Sequence, residues 1–579
     1  VQYNGAFSNM KSLTKVTLPA RLTSLGGNAF AQSSALAEVV FEEDCRLTQI
    51  DQYAFYKTGF TEIVLPDSVK TLGGYLFKDS KLETITFPDT LDTFNFTFDG
   101  CKTLKTVNLT GDGSGDFKLN GGVVYKILKD DAGTVIGREL AYYSYSKTDT
   151  AFEIPADVIK IQAVAFKDNP YLQTLTFENS TAALTADKSN ALVIGEAAFQ
   201  GCTALVSVKI PTRLTTVGRI AFAGCTKLAK VTFEEDCALQ TISEGMFHKC
   251  TALSSITIPK KISAIDNGAF VASGLQTVTF AADGAKVQLY AEASGYSTST
   301  IPGSSTSAKY GVFGNCTKLE TVEFNNRLSG TAIPAYTFYS CGVLSALDKV
   351  TINDVGQYAF RDCKKLGDGV IDFSKLTTDT INTYAFYGCT SLTNITLSES
   401  VQTIDKYAFS KCTNLSKFVL PSSVQTINGY AFDGCTKLIF VENISDTDED
   451  VDALKNVMYL NSYAFQNCKA LTSVDLSGFV GYDASHLGIL YSSTFNGCTS
   501  LATVTLPSSL IEIGGSAFKG CTNLASLALP ETLETIGSSA FESCTSLETI
   551  TLSSALKKIG SSAFKNCQAI TSLTLPESL

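Results

Sequence analysis

The sequence predicts an α/β repeat protein with mostly β regular structure, a solenoid with one parallel strand per ~23-residue repeat wound into a curved or right-handed superhelical arc. Three observations carry this. One order of residues returns at a fixed period, each period holds a short alternating apolar segment, and a phenylalanine at a constant place counts the copies.

The period is clearest near the C-terminal end. Ile513-Gly514 leads to Ala517-Phe518, Cys521-Thr522, Leu524, Leu527 and Leu529-Pro530. The order returns from Ile536-Gly537 through Ala540-Phe541 and Cys544 to Leu552, and again from Ile559-Gly560 through Ala563-Phe564 and Cys567 to Leu575-Pro576. The unit is L-x-x-I-G-x-x-A-F-x-x-C-T-x-L-x-x-V-x-L-P-x-x. The phenylalanine runs from Phe7 to Phe564 and counts about twenty-two repeats, with one degenerate repeat between Phe98 and Phe166. A period of roughly 20 to 29 residues with this leucine spacing is the leucine-rich-repeat signature.

Each part of the unit has a physical reading. In Leu501 to Leu506, Val504 and Leu506 point one way and Thr505 the other, as along a strand. One strand per repeat, joined by a returning segment, makes a parallel sheet. Pro211, Pro259, Pro421, Pro507 and Pro530 follow strands and end the ladder, because proline has no N–H to donate. Gly218, Gly514, Gly537 and Gly560 follow the isoleucine and suit a tight turn. The Ala-Phe pair fits a short irregular return path with the ring in the core. A single repeat cannot bury its apolar face; stacking supplies the core.

Bulk composition narrows the function. Charged residues make up 17% of the 579 and hydrophobic residues 44%, enough apolar surface for a core and too much for disorder. The net charge of −11, with no basic run, argues against nucleic acid, which needs clustered Lys and Arg. No apolar stretch is long enough for direct membrane insertion. The chain opens within a repeat (Val1 to Phe7) and stops within another (Leu573 to Leu579), which reads as a portion of a longer protein with signal and anchor outside it.

The organisation reads as one continuous solenoid over 1–579. An irregular hairpin-like insert spans about 111–150, a Ser/Thr-rich loop about 291–308, and longer repeats about 440–492, where an acidic patch runs from Asp446 to Asp450.

The unit with I-G-x-x-A-F-x-x-C and L-P closely resembles the BspA-like, or Treponema pallidum-type, leucine-rich-repeat family. Two further features resemble variants of that family: the twin segments Phe41-Glu42-Glu43-Asp44-Cys45 and Phe233-Glu234-Glu235-Asp236-Cys237, and the stretch from Gly121 to Pro155. The resemblance covers almost the whole chain. It implies a secreted or cell-surface protein of host-associated bacteria or some protists, with a role in adhesion to host matrix and cells and in coaggregation. It supplies no catalytic site.

Candidate chemistry is sparse. Most of the seventeen cysteines occupy one slot, three residues after the phenylalanine, and that slot also holds Met10, Ser33, Thr58, Ser80, Asn169 and Ser273. A buried thiol ladder is the favoured reading, ahead of occasional disulfides or metal, because parallel stacked side chains do not point at one another as a disulfide requires. The only histidines are His248 and His486, too few for a triad or zinc site. The paired carboxylates at Glu42 to Asp44 and Glu234 to Asp236 read as solvated turn residues, with calcium as the lesser alternative. No cofactor and no metal is expected.

One column holds the candidate ligand-binding residues. The outward strand position carries Thr176, Lys209, Thr232, Thr257, Thr279, Glu323, Thr351, Asp372, Thr396, Asp475 and Thr505, alongside Thr17, Thr86, Asn108, Thr551 and Thr574. The plain explanation is that β-branched Thr favours an exposed strand. The functional one is a long polar face that accepts a protein partner across many repeats. The expectation is therefore a secreted or cell-surface interaction module, an adhesin for host matrix or cell-surface proteins. A structural spacer presenting other domains is the alternative, and an enzyme is disfavoured.

Overall fold

The computed structural model describes residues 5–94, 96–290, 311–330, 332–348, 351–441, 453–481 and 488–579. The Ser/Thr-rich stretch 291–308, the acidic patch from Asp446 to Asp450 and His486 lie outside the described residues. The chain divides into two compact units: residues 1–275 with 280–285 and 301–303, and residues 276–279 with 286–300 and 304–579.

Each unit is a stack of parallel β turns. In the first, Lys15–Leu18 pairs with Glu38–Phe41, Glu62–Val64 pairs with Thr84–Pro88, which pairs in turn with Thr106–Thr110, and Ala151–Ile154 begins a four-stranded run through Thr174–Phe177 and Ser207–Ile210 to Lys230–Phe233. In the second, Ser526–Ala528 pairs with Thr549–Thr551 and Ser473–Asp475 with Thr503–Thr505. The alternation expected from the sequence is present: in Thr174–Phe177 the threonines are exposed and Leu175 and Phe177 buried.

Among the described residues most repeats also carry a second strand, usually a shorter one. The residue pair ending in the isoleucine of L-x-x-I pairs in parallel with its copies, as Glu512↔Thr535↔Lys558 and Ile513↔Ile536↔Ile559. Those repeats hold two strands each, and among the described residues helical structure amounts to two 3-10 turns, Phe373–Lys375 and Ala453–Asn456.

The return path is a ladder of turns rather than a helix. The phenylalanine N–H donates to the carbonyl of the residue before the phenylalanine of the following repeat, as Phe518 to Ala540 and Phe541 to Ala563, both 2.8 Å. In most repeats the residue two before the phenylalanine adopts a left-handed conformation without being glycine, with φ of 57°, 55° and 58° at Ser516, Ser539 and Ser562. Such a backbone costs about 1–2 kcal/mol per residue; the stacked bonds and the buried ring offset it. The glycines after isoleucine serve a different need from the turn expected of them. Their φ is not positive, and a Cβ on Gly218, Gly537 or Gly560 would sit 2.3, 2.5 or 2.3 Å from backbone nitrogen of the preceding repeat. Close approach, not turn conformation, selects glycine there.

The phenylalanines form the spine. Phe495, Phe518 and Phe541 are fully buried, and successive rings from Phe495 to Phe564 stack at 5.6, 5.5 and 5.3 Å. Each stacked pair contributes about 0.5–1.5 kcal/mol beyond area burial. Between Phe98 and Phe166 the spine continues through the antiparallel strands Phe117–Asn120, Val123–Lys129 and Val135–Tyr143. Tyr142 meets Phe98 at 5.0 Å, Tyr143 stacks on Phe166 at 4.6 Å, and the Tyr143 N–H donates to Ala165, so Tyr143 takes the phenylalanine slot.

The cysteine slot has a definite purpose. All seventeen cysteines are thiols. The slot thiol donates to the carbonyl of the preceding repeat's phenylalanine, as Cys225 to Phe199 (3.2 Å), Cys412 to Phe386 (3.1 Å) and Cys544 to Phe518 (3.1 Å). Ser33 makes the same bond to Phe7 at 3.1 Å, which explains why serine is accepted. Burial pushes the thiols up, Cys250 and Cys412 to about 12, so they stay protonated and unreactive at neutral pH.

Candidate functional site

The outward strand position is set by register. In the first unit Glu153 lies opposite Thr176, and Lys209 opposite Thr232, so Glu153, Thr176, Lys209 and Thr232 follow one another across neighbouring strands. Thr176, Lys209 and Thr257 are exposed and Thr232 is half-buried. In the second unit Thr279 lies opposite Glu323 and donates to its carboxylate at 3.0 Å, and Asp475 lies opposite Thr505. Thr396 and Thr505 are exposed, and Asp475 is half-buried.

Two expected members are not in the column. Ala346–Leu347 pairs with Thr321 and Val322, so Asp348, not Thr351, follows Glu323. The Asp348 carboxylate accepts from the Phe324 and Asn325 N–H groups, both at 2.7 Å. Thr351 is exposed three residues further on. The segment Lys349 to Ile352 has the alternation of a strand, but Leu344 and Leu347 set the frame. Asp372 is not on a strand either; it caps the turn Phe373–Lys375, accepting from the Ser374 N–H at 3.1 Å. The column is also less uniform than its threonines suggest, because Val40, Val64, Val419 and Ala528 share it.

Charge on this face is locally organised. Lys209 Nζ lies 2.8 Å from Glu234 Oε1, and Ser180 donates to the same oxygen. The Lys209 contact, with the Ser180 hydroxyl, holds the Glu234 carboxyl below the usual carboxylate range. Beside the face, each Phe-Glu-Glu-Asp-Cys segment borders an open groove, of about 920 Å³ at residues 37–68 and about 420 Å³ at residues 229–261.

A second arrangement, on the return path, is absent from the strand-face reading. Tyr336, Tyr358, Tyr384, Tyr407, Tyr430 and Tyr463 stack in one file, with successive ring centroids 4.7, 4.7, 4.5, 4.6 and 4.4 Å apart. All are half-buried. The Arg361 guanidinium lies 5.0 Å from the Tyr384 ring and 4.9 Å from Tyr387, within cation–π range. The signal was in plain view: Tyr-Ala-Phe recurs at Tyr358, Tyr384, Tyr407, Tyr430 and Tyr463.

Comparison with known proteins agrees with this construction. The family model described as the BspA type leucine rich repeat region matches six times, over residues 3–114, 136–188, 187–295, 287–378, 353–482 and 460–579. The chain belongs to this family. Among solved structures, a leucine-rich repeat protein from Eubacterium ventriosum is 21% identical, covering 60% of this chain and 76% of its own, with a TM-score of 0.40. One from Bacteroides ovatus is 21% identical over 96% of this chain and 85% of its own, with a TM-score of 0.21. A leucine rich cell surface protein from Faecalibacterium prausnitzii is 19% identical over 80% of this chain and 95% of its own, with a TM-score of 0.27. No curated protein matches the chain.

Among the described residues no helix is long and apolar enough to cross a membrane.

Proposed function

We propose that this BspA-type repeat protein is a secreted or cell-surface interaction module, an adhesin that binds host matrix or cell-surface proteins through its strand face. The observation that carries the reading is the run Glu153, Thr176, Lys209 and Thr232. These residues form one outward row of mixed polar side chains on consecutive strands, the form of a surface for a protein rather than a pocket for a reaction. The protonated, carbonyl-bound thiols supply no nucleophile. The spacer alternative draws on the threonines of the same row, since β-branching alone accounts for them.

The test is binding of the purified chain to extracellular-matrix proteins, mucins and epithelial surfaces, beside a variant with Thr232, Thr257 and Thr279 changed to Lys. Saturable binding that the variant loses supports an adhesin using this face. Binding that the variant retains moves the site elsewhere, and no binding to any member favours the spacer.

A further inference from the structure

The two Phe-Glu-Glu-Asp-Cys segments share one backbone plan. In each, an outward strand, Glu38–Phe41 or Lys230–Phe233, runs into a loop whose aspartate is left-handed, with φ of 58° at Asp44 and 59° at Asp236. In each, the groove lies between that loop and the face of the following strand. The side chains that line the two grooves differ in a directed way. The groove at 229–261 has Thr232 and Thr257 on its floor, and Lys230, Lys260 and Lys261 offset Glu235 and Asp236. Its Glu234 is already engaged by Lys209.

The groove at 37–68 has neither threonine nor lysine in those places. Its floor is Val40 and Val64, two successive valines in an otherwise mostly polar column, and Val64 is 54% exposed. Around them stand five carboxylates, Glu38, Glu42, Asp44, Glu62 and Asp67, and among the described residues no Lys or Arg lines the groove. Lys15, outside it, pairs with Glu38.

We infer that this groove is a docking site for an extended, Lys- or Arg-bearing polypeptide segment of the partner. The chemistry is complementary on both counts. Long basic side chains lie their methylene stems along apolar surface while their charged ends reach polar groups, here the valines and the carboxylates. A carboxylate-only rim also speeds encounter with a cationic partner and repels an anionic one. The inference rests on the reading of the chain as a protein-binding module, and it names where on the face a cationic partner enters.

The experiment measures anisotropy of a fluorescein-labelled alternating Lys-Val octapeptide with the full chain. Controls are a Glu-Val octapeptide and spermine as competitor. Saturable binding of the Lys-Val peptide alone is expected, weakened about tenfold or more by the double variant Glu42→Gln/Glu62→Gln. It should also be weakened several-fold by Val40→Thr/Val64→Thr, which leaves every charge in place and restores the residue found in the sister groove. Lys230→Gln/Lys261→Gln should leave the affinity unchanged. All substitutions are at strand-face or loop positions, and equal melting temperatures verify folding. Absent binding, binding indifferent to either double variant, or displacement by spermine at equal concentration would each overturn the inference. Loss confined to the Gln variant would also do so, because it would show general attraction to an acidic chain. If the Val-to-Thr variant binds the matrix panel with undiminished affinity, the groove assignment fails and the adhesin reading stands. If the peptide binds as expected and the panel does not, the adhesin reading fails and the groove assignment stands.

Discussion

Within the second unit, the repeats at residues 336–463 and those at residues 493–562 have one backbone and two surfaces. The residue two before the phenylalanine is tyrosine in the first set and serine in the second. Its φ is 56°, 60° and 61° at Tyr384, Tyr407 and Tyr430, against 57° and 55° at Ser516 and Ser539. Its N–H donates across the same step, from Tyr384 to Lys406 at 3.0 Å and from Ser516 to Ser538 at 2.9 Å. The left-handed turn is therefore imposed by the stacked frame of isoleucine, phenylalanine and cysteine, and the slot accepts side chains of any size. What the tyrosines add is a file of rings and a cation beside them.

The largest expected effect tests whether the frame is indeed shared. Phe432 and Phe541 are both fully buried, each stacked on two neighbours. Phe→Ala at either should cost about 3–5 kcal/mol. Urea denaturation, read with hydrogen exchange over the flanking repeats, should give similar losses at the two sites. A loss at Phe432 smaller by half would mean that the tyrosine file carries load there, and the comparison would fail.

Next in size is the file itself. Tyr407 stacks on Tyr384 at 4.5 Å and Tyr430 at 4.6 Å. Tyr407→Ser removes both contacts and should destabilise by roughly 1–3 kcal/mol. Ser539→Tyr places a ring between serines, and should change stability by no more than about 0.5 kcal/mol. Equal and opposite shifts would show that a lone tyrosine suffices and stacking is incidental.

How much of this could be read beforehand follows from what the period constrains. Among the described residues the isoleucine, phenylalanine and cysteine slots are buried at most turns, with Phe7, Ile559, Phe564 and Cys567 more open, so their spacing declares the solenoid, the thiol ladder and the family. The strand face was legible wherever valine and leucine alternate without competition, as at Thr176 and Lys209. It failed at Thr351, where two overlapping alternations compete, and at Asp372, where a local cap wins over the strand. The second strand was hidden because it mostly spans two residues, too few to show an alternation of its own. Tyr143 was missed because a hairpin breaks the count. The left-handed turns are not a property of serine or tyrosine, so nothing local in the sequence marks them.

Alkaline pH should separate the two regions further. Burial raises Tyr358, Tyr384, Tyr407 and Tyr430 above the ordinary 10.0, and raises the thiols of both regions above 9.0, Cys498 and Cys544 to about 12. A group whose folded value is raised stabilises fully below its unfolded value and loses that contribution as pH climbs toward the folded one. The thiol share should fade from pH 9 upward in both regions, and the phenol share from pH 10 upward only in the tyrosine repeats. Changing Tyr384, Tyr407 and Tyr430 together to Phe keeps the rings and removes the ionisation. That variant's melting temperature should fall less steeply than wild type above pH 10, and parallel curves would leave the phenols no role in stability.

The smallest effect isolates the turn from its side chain. Ser539 has no ring to lose, and glycine at φ of 55° escapes a steric cost of about 1–2 kcal/mol. Glycine also gives the unfolded chain more freedom, which returns about 0.5–1 kcal/mol. Ser539→Gly should therefore stabilise by up to about 1 kcal/mol. Gly245 and Gly268 already occupy the same slot in the first unit, with φ of 61° and 68°. Tyr407→Gly gains the same backbone relief and loses two stacked rings, so its sign should be the opposite. Differential scanning calorimetry of the two variants decides it: a melting temperature that falls in both would mean that the stacked hydrogen bonds hold the turn without strain, and that the slot is left-handed at no cost.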